Sequence, residues 1–223
     1  MLAVLGCAPR AALTPPERGA VLRDARSEGP RWLQVSARPY RLAEGNWAPA
    51  LAPLPPPEWQ IRGHPPPEGR VLEGIIPAGT PASIVRIDFP VGKFGEPNHH
   101  RDTYVTVQLG NGPQALLVVD GALGTETAFW DELELWLTPL TPPSVEEGWN
   151  EAIRAAVNEK RTLSEMPPDA VVAAWGYPAS RVVRFSPTGR RENWTWPGGL
   201  RTAEFQDDRL IESKAPDATG TAP

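Results

Sequence analysis

Few residues in this 223-residue chain have the type and spacing to do chemistry. The densest group of metal-ligating side chains is Glu96, His99, His100 and Asp102. Adjacent histidines point to opposite faces of a strand and lie about 100° apart on a helix, so only a loop lets them converge. Gly95-Glu96-Pro97-Asn98 does make this segment a loop, and it reads as a solvated one rather than a metal site. The remaining histidine, His64, lies in a proline-rich stretch. Nucleophilic catalysis needs a base within hydrogen-bond reach of the nucleophile, and histidines confined to irregular segments do not promise one. Glu132 and Glu134, beside Trp130 and Trp136, are a carboxylate pair of the kind that works on glycans, but the solvent face of a helix explains them better. No glycine-rich loop follows a strand and opens a helix, so no phosphate cradle is expected. The expectation is no catalytic residue, no metal and no small-molecule cofactor.

Recognition chemistry is better represented. Trp194 and Trp196 are two residues apart, so on a strand both face the same side. That side is either the core, packed against Trp149 and Trp175, or an exposed recognition face, since tryptophan is favoured at interaction hot spots. Phe185 and Phe205 belong to the same aromatic group, and Arg190, Arg191 and Arg201 flank it, suited to anionic lipid or an acidic partner. Trp194, Trp196, Arg191 and Arg201 are therefore the candidate partner-binding residues.

The totals narrow the class of protein. A formal charge of −5 lacks the basic footprint of a nucleic-acid binder. With 40% apolar residues the chain can build a core, while 28 prolines demand many turns and extended stretches. The single cysteine, Cys7, permits no internal disulfide and excludes a cysteine-based zinc site. No run of about 18 apolar residues offers a membrane-spanning helix.

The elements that would position these residues fall in two parts. Residues 8–30 read as a polar tether, at best weakly helical over Glu17–Ser27. From 31 to 138 the pattern is that of short strands, interrupted by a proline-rich loop over 46–69 with Pro55-Pro56-Pro57 and Pro65-Pro66-Pro67. Val85, Ile87 and Phe89 alternate with Arg86 and Asp88, and Val105, Val107 and Leu109 with Thr106 and Gln108, as half-buried strands require. Ala115–Val119 is apolar throughout and reads as a central strand covered on both faces. Phe129, Leu133, Trp136 and Leu137 fall at helical spacing. Several strands with one helix suggest a small SH3-like domain. Beyond the boundary at Pro139–Pro143, Ser144 and Glu147 form a capping box, with Val145, Trp149, Ile153, Ala156 and Val157 on one helix face. A second helix follows from Pro167 to Trp175, with Gly176 as its stop. Four short strands over Arg181–Phe185, Arg191–Trp196, Leu200–Phe205 and Arg209–Glu212 complete an ααββββ unit spanning 144–213, and 214–223 reads as a disordered tail. The fold class expected is α+β.

Two resemblances bear on function. Val4-Leu5-Gly6-Cys7 resembles a bacterial lipobox, an aliphatic residue and a small one ahead of the cysteine that is lipidated. In that reading Met1–Gly6 are the truncated end of an export signal and Cys7 is the first mature residue. Ala8 after it, in place of the retention aspartate of enteric lipoproteins, points to the outer membrane. The pattern Met166-x4-Val171-x3-Trp175-Gly176-x-Pro178, then Glu192-x-Trp194-x-Trp196, then Phe205-x-Asp207-x2-Leu210, resembles the SmpA/OmlA-type lipoproteins. These include the small lipoprotein subunit of the outer-membrane β-barrel assembly machinery. Glu165 and Asp208 stand where that family usually carries glycine. The resemblance implies a non-enzymatic envelope lipoprotein on the periplasmic face of the outer membrane, binding a protein partner and the bilayer through Cys7. Likeness to β-lactamase-inhibitor-like domains offers an inhibitor-type binder as the alternative, and a cell-wall enzyme is a third.

Overall fold

The computed structural model of the chain describes residues 13–27, 29–42, 48–52, 69–90, 102–119, 123–139, 142 and 148–216. Cys7, His64, Glu96, His99, His100, the Ser144/Glu147 capping box and most of the proline-rich loop lie outside the described residues. The architecture is mixed α+β, with two sheets and four α-helices among the described residues.

The segment 31–138, expected as a small SH3-like domain, supplies one large sheet. Its strands are β1 (Arg31–Leu33), β2 (Arg38–Leu42), β3 (Ala50–Ala52), β4 (Gly69–Val71), β5 (Pro81–Asp88), β6 (Thr103–Leu109), β7 (Gln114–Val119) and β8 (Leu137–Thr138). Their spatial order is β4-β2-β3-β7-β6-β5-β1-β8. All pairings are antiparallel except β3 with β7. Strand β7 is covered on both faces, as its unbroken apolar run predicts. Ala115, Leu117 and Val119 enter one core, whereas Leu116 and Val118 enter the other.

Two expectations fail for local reasons. Val85 does not share a buried face with Ile87. A bulge between Ile84 and Arg86 shifts the pairing with β6 and leaves Val85 53% exposed. Helix α2 (Glu126–Glu134) stops before Trp136 and Leu137. Leu137 pairs with Leu33 as part of β8, because strand pairing at that edge outcompetes another helical turn. Within the segment expected as a tether, helix α1 covers Pro15–Ser27, and Leu13 ahead of it and Val21 on it are buried in the core.

The C-terminal part begins with α3 (Glu151–Asn158) and α4 (Pro168–Trp175). Asn150 caps α3, its Oδ1 accepting the Ile153 N–H at 2.9 Å. Gly176 ends α4 at φ 83° and ψ −178°, a region open essentially to glycine alone. Strands β9 (Ser180–Ser186), β10 (Gly189–Thr195), β11 (Thr202–Gln206) and β12 (Arg209–Lys214) then form an antiparallel meander of order β12-β11-β10-β9. Strand β12 thus runs through Lys214, where the tail was expected to start.

The two parts share one hydrophobic core. Tyr40, Ala50, Ala52, Leu116 and Val118 of the large sheet pack with Trp149, Val171, Trp175, Trp194, Trp196 and Phe205. The opposite face of that sheet packs against α1 and α2.

Candidate functional site

The aromatic recognition face is internal. Trp194 and Trp196 are each 1% exposed. The Trp194 ring lies 4.5 Å from Phe205 and 6.0 Å from Trp196, which meets Trp175 edge-on at 5.2 Å. Every one of these indole N–H groups has an acceptor within the fold: Trp175 donates to the Lys160 carbonyl, Trp194 to Glu192 and Trp196 to the Gly176 carbonyl. The strand spacing does put Trp194 and Trp196 on one face, but α3 and α4 cover that face. They cannot serve as a docking surface, and the inhibitor-type reading loses the aromatic face it called for. Arg201 is also drawn inward, 9% exposed and over the Trp175 ring at 5.1 Å. Arg191 does stay on the surface, bonded to Gln206 at 2.9 Å and paired with Glu204 at 3.1 Å.

Glu192 is the most deeply buried charge of this region. Its carboxylate accepts from the Trp194 indole at 2.8 Å and Arg181 at 3.2 Å, and it is ion-paired with Arg190. Burial pushes its pKa up, but the indole bond, the Arg181 bond and the two guanidinium charges outweigh burial and hold it below the ordinary glutamate range. A carboxyl depressed in the folded state adds stability above its unfolded pKa of about 4.3, and that stability is lost as pH falls through the folded value. Urea unfolding midpoints should therefore drop on acidification below about pH 4. Glu192→Gln should cost about 2 kcal/mol at neutral pH and flatten that acid dependence. A variant with an unchanged acid profile would assign the loss to other groups.

The remaining chemical candidates do not converge. Glu132 and Glu134 sit on α2 about 200° apart around the axis, so their carboxylates diverge. Glu134 instead opposes the effect of burial on Arg31, which lowers the guanidinium pKa. Of Glu96, His99, His100 and Asp102 only Asp102 is described, just ahead of β6, and no group of three or more metal-ligating residues occurs among the described residues. A cleft of about 340 Å³ between the two parts is lined by Gln34, Trp149, Asp169, Tyr177 and Arg181. Its one carboxylate takes the Trp149 indole N–H at 2.6 Å, its guanidinium is held by Glu192, and burial pushes the Tyr177 phenol up.

The surface feature that stands out is β9, Ser180-Arg181-Val182-Val183-Arg184-Phe185-Ser186. It is an edge strand, and all seven of its residues are exposed. Val182 is 46% exposed, Val183 42% and Phe185 79%. Its pairing with β10 runs from Ser180–Thr195 to Ser186–Gly189 without a bulge. Which backbone groups face outward follows from Arg190. The Arg190 carbonyl accepts from the Asp207 N–H at 2.9 Å, and the Arg190 N–H donates to Asp207 Oδ1 at 2.8 Å. Both groups point toward β11, so the Arg190–Phe185 pair is not hydrogen-bonded. By the strand's period of two, the N–H and C=O groups of Arg181, Val183 and Phe185 face away from β10. No described strand lies beside them. The other end of this sheet is protected. Strand β12 is bulged against β11 and carries Glu212 and Lys214. Sequence periodicity marks β9 as a strand, but its place at the edge depends on sheet order, which no local pattern encodes.

Comparison with protein-family models, curated proteins and solved structures gave no match.

Proposed function

We propose that the chain is a non-enzymatic binding module of the bacterial cell envelope, lipid-anchored at Cys7 and docking through the β9 edge. The observation that carries the docking half is the edge itself: a seven-residue bulge-free strand with Val182, Val183 and Phe185 in solvent and no described strand beside its outward backbone groups. Extended segments add to such edges, with main-chain hydrogen bonds supplying affinity and alternate side chains supplying specificity. The anchor half rests on the lipobox-like Val4-Leu5-Gly6-Cys7. Several acyl chains hold a protein firmly where a single chain gives only marginal binding.

The same reading takes 144–213 as an SmpA/OmlA-like unit. Backbone geometry supports it at two positions. Glu165 and Asp208, which stand where that family carries glycine, have φ values of 66° and 63°. Glycine holds that left-handed conformation at least cost, and Asp adopts it more readily than Glu does.

One experiment covers both halves. The chain is expressed behind a complete lipoprotein export signal, with a photoreactive residue at position 185. Palmitate should be incorporated and the protein should sediment with membranes, both lost in Cys7→Ser. Illumination should give a discrete adduct from position 185 and none from Thr202 on the sheet's other side. Absent palmitate overturns the anchor, and an inert position 185 overturns the docking edge.

A further inference from the structure

We infer that the occupant of the β9 edge is β9 of a second copy, paired antiparallel about a two-fold axis through Val183. This rests on the reading of β9 as a docking edge and adds the identity of what docks there.

The argument begins with parity. Two copies related by a two-fold axis perpendicular to the sheet continue it with the same face up on both sides. Residues facing each other must then come from the same face, and a one-residue slip is excluded. Arg181, Val183 and Phe185, whose N–H and C=O groups point outward, must also exchange bonds with one another. Three registers satisfy both conditions and overlap the strands substantially. An axis at Arg184 sets two Arg184 side chains opposite each other at about 4.5 Å between Cα atoms, a direct like-charge contact. An axis at Val182 leaves Phe185 opposite Ala179, beyond the strand. The axis at Val183 pairs all seven residues of Ser180–Ser186 with all seven of the other copy.

Side-chain chemistry favours the same register. Arg181 faces Phe185 of the other copy, Val183 faces Val183, and Arg184 faces Val182, so no arginine stands directly opposite another. Cross-strand pairing puts Arg181, Val183 and Phe185 on the face of Trp194 and Glu192. Arg181 is already ordered there over the Trp194 ring at 4.3 Å and bonded to Glu192. Phe185 of the second copy would meet that held guanidinium as a cation–π pair and leave solvent. The assembly also closes. Both β9 edges are consumed, and the edges remaining to the joined sheet are the two bulged, charged β12 strands, so growth of that sheet stops at two copies.

The test is sedimentation equilibrium of the full chain with three variants. Wild-type mass should rise with concentration from 24.3 kDa toward twice that value. Val183→Pro removes an N–H that points outward, so the fold's own ladder is spared while the axis loses its bond. It should keep the wild-type circular dichroism and stay monomeric. Phe185→Arg faces Arg181 with a like charge, and Phe185→Glu faces it with an opposite one. Phe185→Glu should therefore dimerise at least tenfold more tightly than Phe185→Arg, a comparison that survives even if the proline variant fails to fold. A wild-type chain that stays monomeric overturns the inference, as does a folded Val183→Pro that still dimerises or equal behaviour of the two Phe185 variants. A monomeric chain that accepts a foreign strand at β9 overturns the second copy while leaving the docking edge standing.

Discussion

Trp196→Ala should destabilise the fold by about 3–5 kcal/mol, a large part of the 5–15 kcal/mol that holds a typical domain together. The ring is 1% exposed and wedged between Trp175, edge-on at 5.2 Å, and Trp194 at 6.0 Å. Truncation leaves a cavity whose walls are other aromatic rings and the helix α4, none of which can collapse to fill it. It also removes the indole N–H that donates to the Gly176 carbonyl at 2.9 Å. That carbonyl belongs to the C-cap of α4 and would lose its indole donor. Trp196→Phe retains most of the volume and loses the bond, and should cost about 1–2 kcal/mol. Urea unfolding followed by circular dichroism measures both. Phe185→Ser is the control: at 79% exposure it should change stability by less than about 0.5 kcal/mol. A Trp196→Ala variant as stable as Phe185→Ser would overturn the core assignment of Trp196.

Lys160→Met should cost about 2–4 kcal/mol, although it keeps the length and the aliphatic stem of the side chain. The Lys160 ammonium is buried and donates to the Ser36 carbonyl at 2.5 Å and the Ala174 carbonyl at 2.6 Å. Ser36 belongs to the segment between β1 and β2, and Ala174 lies in the last turn of α4. One side chain therefore satisfies acceptors in both parts of the molecule. The site is informative because its backbone asks for glycine. Lys160 N–H donates to Val157 and Arg161 N–H to Ala156, the paired bonds of a Schellman ending for α3, with Lys160 at φ 56°. Lys160→Gly should relieve the left-handed strain of about 1 kcal/mol and still be destabilising, since both carbonyls lose a charged donor. A glycine variant more stable than wild type would show that the ammonium contributes nothing net.

These two residues mark where sequence reasoning succeeds and stops. Met166, Val171 and Trp175, then Trp194 and Trp196, then Phe205 and Leu210 are apolar at helical or strand spacing, and all are buried. Local pattern suffices there because one face of each element must leave water. Lys160 is a surface residue by type, and nothing around it in the chain predicts two carbonyls arriving from 124 and 14 residues away. The hairpin at Asp207-Asp208 is intermediate. Its turn composition is legible, but the positive φ at both residues needs the supporting bonds from Arg190, whose N–H and guanidinium are held by the two carboxylates.

The sequence by itself determined the α+β class, the doubly covered strand β7, and the shared face of Trp194 and Trp196. Each follows from hydrophobic period within a few residues. Only the tertiary structure decided that this aromatic face is core and that β9 is an exposed edge strand. Burial and edge position depend on which elements pack together and in what order strands pair. Those are contacts between residues far apart in the chain, and a period of two reads the same on a covered face as on an open one.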